Sequence, residues 1–295
     1  MVALINVEQS LPRPLWALVR HLAAQPGRKQ SLDSAKSLLS PPSLFKEDTD
    51  TSAIFDKALR LAKDLALVNE DEGTLVLRPE IDGADLVAFY DLVRWKVLNR
   101  VSAQALATDP SLTDGKDLLR ALCWFLTRDS QMEPVTKKTF GGEQHKALDD
   151  GLGNPLRNET RWNLFTYWAP ALGFADRPLL GDDGLVPDAT RAVRGAVRAE
   201  WKPGTRLDAL AFVNGLLHRL PVFPGGAFSK ALGLPTGPHG VAGSLAFALQ
   251  RGQEEGWLRL TTASDASNGV QYLDPAAPGG IGLFTDVEIG DATDV

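Results

Sequence analysis

Ser52-Ala53-Ile54-Phe55-Asp56-Lys57-Ala58-Leu59-Arg60-Leu61-Ala62-Lys63-Asp64-Leu65-Ala66-Leu67-Val68-Asn69-Glu70-Asp71-Glu72-Gly73-Thr74-Leu75-Val76-Leu77 is the stretch whose reading decides the fold. Ile54, Ala58, Leu61 and Leu65 recur at helical spacing behind Thr51 or Ser52, either of which can cap a helix. Leu67-Val68-Asn69 and Thr74-Leu75-Val76-Leu77 then read as two short strands around the acidic turn Glu70-Asp71-Glu72-Gly73. Two more helical periods precede it. Leu15, Leu18, Val19 and Leu22 form one, bounded by Pro12 and Pro14 before it and Pro26-Gly27 after it. Leu32, Ala35, Leu38 and Leu39 form the other, behind Ser31 as N-cap and ahead of Pro41-Pro42.

Three helices and a ribbon over residues 15–79 make a winged-helix pattern. Its core is expected to include Leu18, Leu22, Leu38, Ile54, Leu61, Leu65 and Leu75. Such a unit docks on nucleic acid or on protein and brings no catalytic machinery of its own. A weaker copy follows at 206–275. Leu207, Leu210, Ala211 and Leu217 suggest a first helix, Phe228, Ala231 and Leu232 a second, and Leu245, Ala248 and Leu249 a third. Gly256–Thr261 and Val270–Leu273 would be its ribbon, around a polar tip at 264–269. Between the copies, Leu86, Phe89, Tyr90, Val93 and Val97 mark one amphipathic helix, and Leu118, Leu119, Leu122, Phe125 and Leu126 another. Residues 136–158 read as a long polar loop. The expected fold class is mainly α with small β ribbons. The expected divisions are a winged-helix domain at 1–82, a helical middle at 83–202, a second winged-helix-like domain at 203–275 and an acidic, Gly-rich, loosely held tail at 276–295.

Net charge is −6 over 295 residues, and no division is basic. Lys and Arg number 10 against 12 acids in the first, 16 against 16 in the second, 5 against 5 in the third and none against 4 in the tail. A global electrostatic footprint for DNA is therefore missing, and a local patch is the remaining route. One cysteine, Cys123, forms no internal disulfide. With no signal-peptide pattern and no run of 18 apolar residues, a cytoplasmic protein is expected.

Two cationic helix faces are the candidate nucleic-acid contacts: Lys57, Arg60 and Lys63 on the third helix, and Arg191, Arg194, Arg198 and Lys202 on a later one. On the first face, Asp56 and Asp64 lie four residues either side of Arg60, so the charges can satisfy one another, and the acidic tip Glu70–Glu72 repels phosphate. Trp162, Phe165, Tyr167, Trp168 and Phe174 concentrate aromatic surface in one segment, either core or partner interface. Pro187-Asp188 and Glu200-Trp201-Lys202 match the bare string of a metal-dependent nuclease, which needs both acids on adjacent strands. The intervening residues have a helical period, which would hold the acids about 18 Å apart. His21, His145, His218 and His239 are scattered without metal spacing. No cofactor, metal or catalytic residue is expected.

Leu4-Ile5-Asn6-Val7, Leu11-Pro12 and Leu15-Trp16-Ala17-Leu18, taken with the winged-helix pattern, the length and the Trp162–Phe174 segment, resemble the DpdG proteins. These belong to the bacterial Dpd gene cluster, which installs 7-deazaguanine bases in DNA and restricts unmodified DNA. The resemblance implies an accessory role in phage defence and carries over no catalytic residue. The leading expectation is a non-enzymatic subunit of a DNA-modification-linked defence assembly, contacting protein partners and DNA weakly. A transcriptional regulator and a metal-dependent nuclease are the alternatives.

Overall fold

Pro12 opens the first helix, where its missing N–H costs no hydrogen bond, and α1 runs Pro12–Ala23. Gly27, at φ 65°, turns the chain into β1 (Lys29–Ser31). The Ser31 hydroxyl accepts from the Ser34 amide at 3.3 Å and caps α2 (Leu32–Leu39). After α3 (Ser52–Asp64) come β2 (Val68–Asp71) and β3 (Thr74–Leu77). Glu72 and Gly73 both hold positive φ, and this two-residue turn pairs Asp71 with Thr74. The strands form an antiparallel sheet in the order β1-β3-β2. The structure, a computed structural model, describes residues 3–7, 10–41, 43, 52–131, 134–179, 184–236, 240–263 and 269–291. Thr51, Pro42, the acidic run 46–50, His239 and most of the tip at 264–268 lie outside the described residues.

The molecule is mainly helical with small antiparallel sheets. Leu18, Leu22, Leu61, Leu65 and Leu75 are buried as the periodicity predicts. Leu38 is not: it is 60% exposed, because α2 buries its Ala35 instead. Ile54 is only half-buried, because α3 turns Phe55, Ala58, Leu59 and Ala62 into the core. β1 carries the polar sequence Lys-Gln-Ser and shows no apolar alternation, so pairing with β3 alone defines it.

The middle region is α4 (Leu86–Leu98), α5 (Ala103–Thr108), α6 (Lys116–Phe125), α7 (Phe140–Ala147) and α8 (Glu159–Ala171). Every residue of α6 is buried, its charged ones included. Arg120 satisfies its guanidinium on the backbone carbonyls of Leu106, Asp109, Ser111 and Leu152. The Asp117 carboxylate accepts from the amides of Leu4, Ile5 and Asn6 at 3.2, 2.7 and 2.9 Å. The Trp168 indole donates to the Ser10 carbonyl at 2.8 Å. The N-terminal stretch is thus clasped by the middle region before α1 begins. The expected polar loop at 136–158 contains α7. Its glycines disfavour a helix, but Phe140 is buried face to face on Trp162, ring centroids 5.0 Å apart, and the buried Gln144 accepts from the Leu156 amide.

The last third is α9 (Thr190–Glu200), β4 (Arg206–Asp208), α10 (Ala209–Arg219), α11 (Ala227–Ala231), α12 (Gly243–Glu254), β5 (Leu258–Thr261), β6 (Val270–Leu273), β7 (Ile281–Phe284) and β8 (Asp286–Ile289). Here the pairing differs from the expected ribbon. β5 pairs with β8 rather than β6, giving the order β4-β8-β5, while β6 and β7 form a separate hairpin between them. The stretch from 276, expected as a loose tail, supplies the central strand of that sheet, with Val287 and Ile289 pointing into the core. α9 packs on α12 as α1 packs on α3. Leu207 lies in β4, and α10 buries Phe212, Val213 and Leu216 while Leu210 stays outside. No helix among the described residues is long and apolar enough to cross a membrane.

Candidate functional site

The exposed side of α3 is the first candidate surface. Arg60 and Lys63 are exposed there and Lys57 is half-buried. Asp56 does not reach to Arg60 as expected. It ion-pairs with Lys36 of α2 at 3.0 Å, which leaves the Arg60 guanidinium to solvent. Lys63 pairs with Glu70 at the start of the acidic turn, so one acid of that tip is neutralised from the helix. Among the described residues, Lys57 and Arg60 make no ion pair. The face therefore presents two cations, the exposed Arg60 and the half-buried Lys57, with no ion-pair partner among the described residues, on a helix whose opposite side is anchored in the core.

The topologically equivalent helix of the last third is placed differently. α12 buries Ser244, Leu245, Ala246, Ala248, Leu249 and Gly252. The Ser244 hydroxyl donates to the Leu126 carbonyl at the end of α6, 2.7 Å away. Its one cation, Arg251, is held by Glu254 and Glu255 at 3.1 and 2.9 Å. A groove-reading face is not accessible on this helix.

The stripe Arg191, Arg194, Arg198 and Lys202 is split by its neighbours. Arg191 donates to the carbonyls of Pro170 and Ala175 at 2.8 and 3.3 Å and so ties α9 to the end of α8. Arg194 lies 3.9 Å from Glu255. Arg198 and Lys202 remain exposed. Alignment at i, i+3 and i+7 does not make one solvent face here, because α9 is flanked by α8, α10 and α12.

The aromatic segment resolves as core. Trp162, Phe165, Trp168 and Phe174 are buried; Phe140, Trp162 and Phe165 stack in a row that meets Phe125 edge-on, and Phe174 separately meets Phe223 edge-on. Of the two readings open for this segment, these four side chains take the core one, and Tyr167, 50% exposed, is the one of the five that faces outward. Asp188 and Glu200 sit at the two ends of α9. Asp188 accepts from the Thr190 amide, and Glu200 ion-pairs with Arg219 of α10. His21 contacts Gln30, and His145 lies 3.3 Å from Asp150. Among the described residues no three His, Cys, Asp or Glu side chains converge to hold a metal ion.

Burial dominates the titration behaviour. It raises the Asp117 carboxyl against four backbone N–H donors that oppose the shift, and it pushes Tyr90 up to about 12 and raises the Cys123 thiol. The buried Arg94 is lowered by the same cause, against Asp91 at 2.7 Å. None of Arg94, Asp117 and Arg120 stands out in sequence, since each shares its helix with other charged residues, Asp91 and Lys96 in α4 and Lys116 in α6. Trp95 does leave a signal: it lies off the apolar stripe of α4, and it is 52% exposed.

No curated protein and no solved structure matches the chain. The family model described as DpdG-like matches residues 2–266, nearly the whole chain, and the protein belongs to that DpdG-like family.

Proposed function

We propose that the chain is a non-enzymatic, cytoplasmic subunit of the Dpd DNA-modification and defence system, built from two winged-helix units around a helical middle. In this reading the first unit, to residue 82, contacts duplex DNA weakly through α3, and the second, which begins with α9 ahead of residue 203, is a structural and protein-facing module. The order helix–strand–helix–helix–strand–strand and the sheet order β1-β3-β2, repeated as β4-β8-β5, support the winged-helix assignment. The observation that carries the division of labour is the contrast between α3 and α12. α3 exposes Arg60 beside the half-buried Lys57, whereas α12 is seated on α6 through Ser244. The absence of a basic domain argues for weak intrinsic affinity and hence for partners that add contacts.

Native purification with nuclease treatment, followed by mass spectrometry, tests the subunit reading. Companion proteins in fixed ratio that survive nuclease are expected. A homogeneous dimer that footprints one operator would replace this reading by the regulator. Metal-dependent DNA cleavage by the purified chain, abolished by Glu200→Ala, would overturn the non-enzymatic assignment.

A further inference from the structure

α1 and the start of α4 meet through their aromatic residues. Trp16 of α1 lies on Phe89 of α4 with ring centroids 4.9 Å apart, and Phe89 meets Tyr90 edge-on at 5.1 Å. Gly83, just ahead of α4, packs on Ala23 and on the Val19 carbonyl, and a side chain there would collide with Ala23. The two helices therefore run in opposed directions, with Gly83 beside the end of α1 and Phe89 beside its middle. On α4, Tyr90 stands one turn on from Leu86 and Val87, at i+4 and i+3, so the three side chains adjoin. Leu86 and Val87 are 46% and 59% exposed, and Tyr90 is half-buried. The proposed duplex contact uses none of these residues.

The charge beside this apolar surface is of one sign on the α1 side. Arg13, Trp16 and Arg20 fall at i, i+3 and i+7, so the two guanidinium groups flank the indole along one helical row. Arg13, Ala17 and Arg20 are exposed, and the small Ala17 leaves the space between the arginines open. α1 contains no acid, and among the described residues neither Arg13 nor Arg20 makes an ion pair. Burial raises the Tyr90 phenol while Arg13 opposes the shift, in keeping with a guanidinium at the edge of the triad. The carboxylates that precede Leu86 are those of Asp82 and Asp85. They accept from the amides of Ala84, Asp85, Val87 and Ala88 and so fix the start of α4.

An exposed apolar triad bordered by two cations without acidic partners is complementary to an apolar surface that carries carboxylates. Trp, Tyr and Arg are also the residues that carry most binding energy at protein interfaces. A nucleic-acid backbone would pair with the arginines but would lay charged phosphate over Leu86 and Val87. A membrane surface calls for a larger basic cluster, of about 4–8 residues. A second copy related by a two-fold axis would double the unmatched cations in one interface. We propose, resting on the subunit reading above, that this surface docks an acidic amphipathic helix of a partner protein. Its apolar side lies on Leu86, Val87, Tyr90 and Trp16, and its carboxylates lie along Arg13 and Arg20. The two arginines are about 10.5 Å apart along the axis of α1, so acids two turns apart on the partner helix match them.

The test is photo-crosslinking in the native cell, from p-benzoylphenylalanine placed at Ala17 of the full chain. Leu210, exposed on α10, is the control position. Peptide mapping identifies what is attached. A product is expected at Ala17 and not at Leu210, joined to a companion-protein segment with acids and apolar residues at helical spacing. Arg13→Glu/Arg20→Glu should lower its yield about tenfold or more, and Leu86→Ser/Val87→Ser should lower it by a similar factor. Arg13→Lys/Arg20→Lys, which keeps both charges, should retain most of it. All four positions are exposed, and an unchanged melting temperature checks that the variants fold. A product joined to nucleic acid, to a second copy of the chain or to a segment without acids would overturn the proposal. So would a yield within twofold of the parent in Arg13→Glu/Arg20→Glu. Companion proteins that co-purify but give no product at Ala17 would overturn it and leave the subunit reading intact, whereas absence of any companion would overturn both.

Discussion

Asp117→Ala should detach the N-terminal stretch from the rest of the molecule. The carboxylate is fully buried and accepts from three consecutive amides, those of Leu4, Ile5 and Asn6. If residues 3–7 stayed in place, three N–H groups would lose their acceptor, at about 1–3 kcal/mol each where burial is complete. The cheaper response is release of the segment to water. That forfeits burial of Leu4 and Ile5, both at 0% exposure, worth about 1.5–3 kcal/mol each. The release route therefore caps the loss at about 3–6 kcal/mol, and relief of the buried charge, whose pKa is raised by desolvation, draws it toward the lower end. Asp117→Asn keeps one acceptor oxygen and should lose less. Urea unfolding gives the stability change, and hydrogen exchange shows where it falls. The amides of residues 4–6 should lose protection while those of α6 keep it. A change under about 1 kcal/mol with residues 4–6 still protected would refute the reasoning, since it would mean that the carboxylate does not hold the segment.

Leu61→Ala should cost about 2–5 kcal/mol in urea unfolding, because Leu61 is buried between α3 and the rest of the first unit; a change below about 0.5 kcal/mol would misplace that face. Asp109 should titrate at about 2 by NMR, held down by the hydrogen bond from Lys116 and then by Ser111, and should return toward the ordinary carboxylate range in Lys116→Met. The sign follows: a depressed folded pKa adds stability above the unfolded value near about 3.9, and this is lost as pH falls through about 2. Cys123, buried in α6 with its thiol pKa raised by burial, should resist thiol reagents in the native protein and react at the rate of unfolding or of opening events that expose α6.

Much of the first unit was legible because its helices carry clean apolar stripes and because Ser31 and the Pro26-Gly27 pair mark real boundaries. What was not legible depends on pairing across the chain. β1 has no strand pattern of its own and exists because β3 offers it an edge. β8 lies in an acidic, Gly-rich segment, and only its pairing with β4 and β5 turns Val287 and Ile289 inward. α9 shows its helical period, but nothing in that period says that it packs on α12 and belongs with the last third. The same limit applied to the candidate surfaces. The cationic positions of α3 could be read from spacing, whereas the loss of Arg191 to carbonyls of Pro170 and Ala175 could not. Nor could spacing show that the Trp162–Phe174 cluster is internal, since an aromatic segment suits a core and an interface equally.

The central claim is that duplex DNA is met by α3 and not by α9 or α12. It is tested most directly by the salt dependence of duplex binding for the parent chain, for Lys57→Glu/Arg60→Glu/Lys63→Glu, and for Arg198→Glu/Lys202→Glu. Each phosphate contact contributes about 0.9 to the slope of log K against log salt. The account predicts weak binding whose slope shrinks by about 2–3 in the α3 variant and by little in the α9 variant. The range reflects that Lys63 is shared with Glu70. An unchanged slope in the α3 variant, or a loss confined to the Arg198/Lys202 variant, would contradict it.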